Sequence, residues 1–341
     1  MTRPVASESV TRGWIFIGIL TVLAFATASM MVGKYGSGPG PLLSAIGGLL
    51  GGKADDPLLA TVLWNVRLPR VMAALIVGAA LAAAGATFQG LFRNPLVSPD
   101  LLGVSVGASL GAVMGIFLSL PVLLIQLAAF AGGLIAVSIV YAVGSLIRRR
   151  DPVLTLVLVG IAIQALIGAG ISLIKILADP YDQLPAITYW LLGSMTAMTR
   201  FDVFSILPAV LIGLTPMVLL RWRMNVMTLG EDEARTLGVD TLKVRLVLVA
   251  GATLVTAATV SVTGIIGWIG LIIPHVARML VGPDFRRLLP ASMMIGAAYL
   301  LVVDMLARSI ASIEVPLGIL TAVVGAPFFL WLLVSGRRGW E

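Results

Sequence analysis

The sequence predicts an all-α polytopic membrane protein with about ten transmembrane helices, organised as one membrane domain over residues 1–341. Two observations support this prediction. Of the 341 residues, 59% are hydrophobic and only 11% are charged, so hydrocarbon rather than water must surround most of the chain. The apolar residues also form continuous runs of spanning length, whereas a transmembrane β-barrel requires alternation of apolar and polar residues.

The apolar runs account for most of the chain. A shorter apolar stretch at 187–198 cannot cross the bilayer and is expected to form a re-entrant or interfacial half-helix. Residues 34–58 are expected to form a periplasmic loop after the first span. The ten predicted spans cover residues 13–33, 59–87, 101–118, 121–147, 152–177, 202–220, 243–265, 264–282, 288–307 and 316–335.

Orientation follows from the basic residues, because cytoplasmic loops carry an excess of Lys and Arg. With the N-terminus inside, sixteen of the 23 basic residues lie on the inner side and seven on the outer side. This distribution predicts a bacterial inner-membrane protein with both termini in the cytoplasm. It also places the longest polar stretch, residues 221–245, in the cytoplasm between the two halves of the chain.

Composition excludes several classes of function. The net charge of +7 comes from short basic clusters between apolar runs, so no nucleic-acid partner is expected. The single histidine, His275, cannot form a metal site alone, and cysteine is absent, so no metal site is predicted. Residues 47–53 have the spacing of a phosphate-binding loop, but Ala54 replaces the hydroxyl residue that would hold magnesium.

Each half contains a region where glycine and proline interrupt a helix. These regions are 90–103 in the first half and 264–274 in the second. In lipid, a broken helix leaves backbone groups unsatisfied unless they line a cavity or are buried in protein. Matching interruptions indicate a transporter built from two related halves, although sequence similarity between the halves is weak.

Three polar segments carry the candidate functional residues, and the first lies at the outer ends of two spans. Arg67 and Arg70 open the second span, and Arg308 ends the ninth. Arginines at a membrane surface reach into water at little cost. They either snorkel at the interface or form a docking surface for an acidic partner.

The second segment is the turn between the second and third spans, at the inner face. Asn94, Pro95 and Leu96 lie at its centre, and its two prolines and flanking glycines force a tight, extended connection. Asp100 is expected to cap the next helix, and Arg93 to anchor at the lipid headgroups.

The third segment is a short cytoplasmic helix at 229–239. It begins after Gly230 with acidic residues and ends at a glycine cap, which suits the helix dipole. Ala234 and Leu237 are expected to share an apolar face that a partner protein covers. The candidate contact residues are Gly230, Glu231, Ala234, Arg235, Leu237 and Gly238.

Together these segments resemble the permeases of type II ABC importers, a family that imports iron–siderophore complexes, haem and cobalamin. The shared features are the Arg67-Leu68-Pro69-Arg70 motif, the turn at 90–103 and the Leu-Gly-Glu…Ala-Arg-x-Leu-Gly segment at 229–238. The resemblance continues through 267–275, 316–318 and 325–327, and it covers about residues 60–335.

The resemblance implies a homodimer that lies in membrane lipid, with two cytoplasmic ABC ATPase subunits and a periplasmic substrate-binding protein as its partners. Arg67, Arg70 and Arg308 match arginines that meet acidic residues of the binding protein. Asn94 and Leu96 match a cytoplasmic gate, and 229–238 matches the helices that couple to the ATPase. The chain itself is expected to be neither an enzyme nor cofactor-bound, because ATP and Mg belong to the ATPase.

The resemblance predicts ATP-driven import of an iron chelate, either a ferric siderophore or haem, by alternating access. Cobalamin or oxyanion import by the same architecture is the alternative. An ion-coupled secondary transporter is disfavoured because Asp304 is the only acid well inside a span and lies near its outer end. A membrane enzyme is disfavoured because Ser194 has no base and orienting group in the sequence around it.

Overall fold

The computed structural model describes residues 8–33, 38–49, 56–147 and 152–335. Arg3, Lys34, Lys53 and the basic clusters at 148–150 and 337–338 lie outside these ranges, so much of the charge pattern does too. The helices are α1 Glu8–Met31, α2 Pro39–Leu49, α3 Pro57–Val62, α4 Leu68–Leu91, α5 Val104–Phe117, α6 Val122–Leu146, α7 Pro152–Leu177, α8 Gln183–Leu191, α9 Arg200–Leu219, α10 Arg221–Met227, α11 Glu231–Thr236, α12 Thr241–Thr263, α13 Ile269–Val281, α14 Phe285–Ser309 and α15 Leu317–Ser335.

The all-α polytopic architecture is confirmed. In the described part of the chain, seven helices are long and apolar enough to cross a membrane, and three shorter apolar helices, α5, α13 and α15, lie at the remaining predicted spans. A π-helical turn, Leu63–Arg67, joins α3 to α4, so the second span is continuous over Leu58–Leu91.

Two predicted non-spanning segments differ in detail. The half-helix predicted at 187–198 begins earlier, as α8, and ends at Leu191, because the chain turns at Gly193 with a φ of 72°. The loop predicted at 34–58 contains a helix, α2, within its described part.

Helix α4 occupies the centre of the fold. It is buried along nearly its whole length and packs against α9, α12, α13 and α14. Close approach depends on small residues, since a Cβ atom at Gly85 would lie only 1.9 Å from the carbonyl oxygen of Gly270 in α13. Without a hydrophobic driving force between helices in lipid, such close packing is a main source of helix association.

The two helix interruptions meet inside the fold. Residues 92–103, between α4 and α5, fold back until Pro99 lies beside Gly270, at the start of α13. The second interruption, residues 264–268, lies directly before that helix. The second interruption and the Pro99 end of the first are buried or line a cavity, as a broken membrane helix requires, whereas the tip of the first, at Asn94 and Leu96, lies at the surface.

Candidate functional sites

The three outer arginines are close together, as expected, but they are not exposed. Arg67 ends the π-helical turn, Arg70 lies in the first turn of α4, and Arg308 lies in the last turn of α14. Packing of α4 against α14 brings them together. Their exposures are 3%, 3% and 6%, so the prediction that they stand free in water is wrong for this conformation.

Buried carboxylate and carbonyl oxygens explain why these arginines are inside. Arg70 Nη2 is 2.8 Å from Asp304 Oδ1, and Arg308 Nε is 3.1 Å from Asp304 Oδ2. Arg308 also donates to the Ser29 hydroxyl at 2.8 Å, and Arg67 donates to the carbonyl of Met30 at 2.8 Å. Asp304 is fully buried, and its position between two guanidiniums supports a structural role.

A second carboxylate, Glu314, covers this cluster from the loop between α14 and α15. Its two oxygens accept from Arg70 Nη1 at 2.9 and 2.8 Å, and one of them also accepts from the Thr196 hydroxyl at 2.8 Å. Burial opposes ionisation of Glu314, but Arg70, Thr196 and Arg308 outweigh it and hold the pKa of that carboxyl below its usual value.

Sequence reasoning missed Glu314. The only local signal is an isolated acid six residues after Arg308 in an otherwise apolar and small-residue loop. We call the set Arg67, Arg70, Arg308, Asp304 and Glu314 the outer charge cluster. Its three cations and two carboxylates leave a formal charge of +1 when all are ionised.

The turn after α4 presents the predicted gate residues at the protein surface. Asn94 and Leu96 are exposed and Pro95 is half-buried. The Asn94 side chain accepts from the backbone N–H of Leu96 at 2.9 Å, which fixes the turn locally. Arg93 adopts a left-handed φ of 47°, a conformation that a non-glycine residue rarely takes.

Asp100 does not cap α5 as predicted. The residue at the N-cap position is Gly103, at a φ of 82°, and no side chain caps the helix. The carboxylate of Asp100 instead accepts from the Ser105 hydroxyl and lines a cavity of about 270 Å³. Trp268 of the second interruption lines the same cavity, which therefore borders both helix interruptions.

Gln89 connects the base of the gate turn to α13. Its amide donates to the carbonyl of Leu271 at 2.9 Å, and its side-chain oxygen accepts from Arg278 at 3.2 Å. The sequence offered no reason to select Gln89, because its partners are 182 and 189 residues away along the chain. The Gln89 side chain thus joins the end of α4, just before the gate turn, to α13 through partly buried contacts.

The 221–245 segment folds into α10, α11 and the start of α12. At the end of α11, the amide of Gly238 donates to the carbonyl of Arg235, and that of Val239 to the carbonyl of Ala234. With Gly238 at a φ of 79°, this is a Schellman cap, so the predicted glycine cap is confirmed.

Charges on this segment are paired within it. Glu231 lies 3.1 Å from Arg235 and 3.3 Å from Arg245, the latter in the first turns of α12. Burial opposes ionisation of Glu231, but Arg245 and then Arg235 and Thr241 outweigh it and hold its pKa below the usual value.

The prediction that Ala234 and Leu237 share one face open to a partner is wrong for Ala234. Ala234 is fully buried, whereas Leu237 is 61% exposed. Helix α11 ends at Thr236, so the i, i+3 geometry of a longer helix does not apply to Leu237. The exposed apolar side chains of the coupling segment include Leu229, Leu237 and Leu242, each about equally exposed. We call these three residues the leucine patch.

The gate turn and the coupling segment are neighbours. A Cβ atom at Gly230 would lie 3.7 Å from Arg93 Nη1. The Arg93 side chain of the gate turn thus lies close to Gly230, which directly precedes α11.

His275 and Ser194, which the sequence singled out, lie among packing and hydroxyl contacts. The ring of His275 packs edge-on against Phe328, with centroids 6.3 Å apart. Ser194 lies among other hydroxyls, 2.7 Å from Thr196 and 3.3 Å from Tyr189. Within the described ranges, no three His, Cys, Asp or Glu side chains are placed to hold a metal ion.

The fold and these surfaces define a polytopic membrane permease with a broken-helix core. Residues 20–335 match the FecCD transport family, and the chain belongs to that family.

Two relatives and one solved structure show the range of the similarity. The chain is 45% identical over 273 residues to the cobalamin import system permease protein BtuC of Halobacterium salinarum, covering 80% of this chain and 73% of the relative. It is 40% identical over 292 residues to the hemin transport system permease protein HmuU of Yersinia pestis, covering 80% and 83%. A solved metal-chelate type ABC transporter in an inward-facing conformation superposes with a TM-score of 0.86 at 34% identity, covering 95% and 99%. The chain is thus a permease of the ABC-importer type and a transport subunit, not an enzyme.

Proposed function

We propose that this chain imports an iron chelate, a ferric siderophore or haem, across a bacterial inner membrane by alternating access, with both termini in the cytoplasm. The observation that carries the ATP-driven part of the proposal is the closeness of Gly230, in the coupling segment, to the Arg93 side chain, in the gate turn. A motor that displaces the first would move the second.

Two surfaces of the chain support the proposed partners. The leucine patch exposes apolar side chains on the predicted cytoplasmic side, and such exposed apolar residues indicate a binding site for another protein. We assign this surface, present once on each of two copies of the chain, to two ABC ATPase subunits, which bind ATP and Mg. A second copy of the chain completes the pathway, and a periplasmic binding protein docks at the outer charge cluster.

In this proposal Asn94, Pro95 and Leu96 form the cytoplasmic gate. Their exposure at the tip of the turn allows two copies of the chain to bring these residues together and to separate them. The hydrogen bond from the Leu96 backbone N–H to the Asn94 side chain holds each turn in shape, so the gate moves as a unit.

The cargo assignment is supported by the haemin and metal-chelate descriptions of two similar proteins. The cobalamin relative favours a second candidate, a corrinoid. Both are bulky metal chelates, which suits a wide pathway between two subunits.

Reconstitution into proteoliposomes with the cognate ATPase and binding protein tests the assignment. Uptake of ferric siderophore, haem, cobalamin and molybdate is measured side by side. Saturable, ATP-dependent uptake of an iron chelate is expected. Uptake of cobalamin or molybdate alone would replace the iron assignment with the corresponding alternative.

A further inference from the structure

Glu314 lies over a guanidinium that the proposed binding protein must reach. We infer that docking is a carboxylate exchange, in which an acidic residue of the binding protein replaces Glu314 on Arg70. This inference rests on the proposed docking function of the outer charge cluster. It adds a specificity-determining residue that competes for the same site.

Access to Arg70 is the first argument. Arg70 is 3% exposed, whereas the Glu314 side chain is 28% exposed and bonds the outer guanidinium nitrogen, Nη1, through both oxygens. The other nitrogens of Arg70, Nη2 and Nε, face Asp304, which is fully buried. An incoming acid therefore meets Glu314 first and Asp304 not at all.

Charge is the second argument. With Glu314 in place the outer charge cluster has a formal charge of +1, and without it the charge becomes +2. A buried guanidinium left unpaired is costly, so Glu314 keeps Arg70 satisfied while no partner is bound. A partner carboxylate that replaces Glu314 preserves that pairing and leaves the fold intact.

Glu314 also links the segment after α8 to the loop before α15, so the exchange would break that link. Glu314 accepts from Thr196, in the segment after α8. Close by, the amides of Leu317 and Gly318 donate to the carbonyls of Gly193 and Leu192 and so join the start of α15 to the end of α8. Release of Glu314 removes a side-chain link across this junction at the outer face.

The test measures affinity of the cognate binding protein for the transporter reconstituted in nanodiscs with its ATPase. Glu314→Gln is expected to tighten binding about tenfold and to steepen its salt dependence, because the competitor loses its charge. Thr196→Val is a milder variant that keeps every charge, and it is expected to tighten binding by a smaller factor. Asp182→Asn is the matched control, since Asp182 is an exposed acid on the predicted outer side, and it is expected to leave affinity unchanged.

Arg67→Gln separates this inference from the docking assignment itself. It lowers the cluster charge to zero and is expected to weaken binding. If Arg67→Gln weakens binding but Glu314→Gln and Thr196→Val both bind as wild type, the exchange is overturned and docking stands. If Arg67→Gln leaves affinity unchanged, both ideas are overturned.

Discussion

Asp304→Asn is the most informative perturbation of the fold, because this one carboxylate holds two buried guanidiniums. Arg70 and Arg308 lie 2.8 and 3.1 Å from it. After the substitution, Arg70 keeps Glu314, and Arg308 keeps its contacts to the Ser29 hydroxyl and to backbone carbonyls. No carboxylate then lies against Arg308 among the described residues.

Breaking a buried ion pair costs about 3–5 kcal/mol, and the remaining oxygen partners of Arg308 place the expected loss near the lower end, about 3 kcal/mol. Because the entropy of unfolding grows with chain length, that loss corresponds to a Tm lower by about 4 °C for 341 residues. The double variant Asp304→Asn/Arg308→Gln is expected to lose less free energy of unfolding than the sum of the two single variants, by about 1 kcal/mol or more. The reason is that it removes the cation and its carboxylate partner at the same time.

Equilibrium unfolding in mixed micelles measures these differences, with Asp182→Asn as the exposed-acid control. A loss smaller than about 1 kcal/mol for Asp304→Asn would refute the ion-pair reasoning. The Asp304→Asn variant that remains folded is also expected to keep ATP-driven uptake, since Asp304 has a structural partner set. Loss of uptake with full stability would instead show that Asp304 acts in transport as well as in the fold.

Two further predictions concern the coupling segment and the helix core. Leu237→Asp is expected to abolish ATP-dependent uptake while the protein stays folded, because Leu237 is exposed. Ala234→Asp is expected to destabilise the protein, because Ala234 lies on the buried side of α11. Uptake and thermal unfolding are measured for both variants, and wild-type uptake by Leu237→Asp would disprove the coupling assignment. Gly85→Ala is expected to cost about 1–3 kcal/mol, because the added Cβ meets the carbonyl of Gly270. Gly267→Ala is the control with open space, and equal stability of the two variants would contradict the packing argument.

Hydropathy predicted the helices well because each span is a local property of about 20 residues. The Schellman cap at Gly238 was predictable for the same reason, since its signal lies within one turn of α11. The end of that helix was not. Leu237 lies just beyond α11, so a one-residue difference in helix length separated Leu237, which is exposed, from Ala234, which is buried.

The outer charge cluster shows what a single sequence does not contain. Arg70 meets Asp304 and Glu314 across 234 and 244 residues of chain. These pairs exist because α4 packs against α14, and the pairing of two apolar helices leaves almost no trace in hydropathy. An arginine at the end of a span therefore looked like a snorkelling or docking residue, when it is a buried ion-pair partner.

The central claim is that ATP hydrolysis on a partner, transmitted through α11, drives transport by this chain. Proteoliposomes containing the permease, its ATPase and its binding protein permit the direct test, in which uptake is measured with internal ATP or with a proton gradient alone. The account predicts uptake with ATP and none with the gradient. Gradient-driven uptake in the absence of ATP would contradict it.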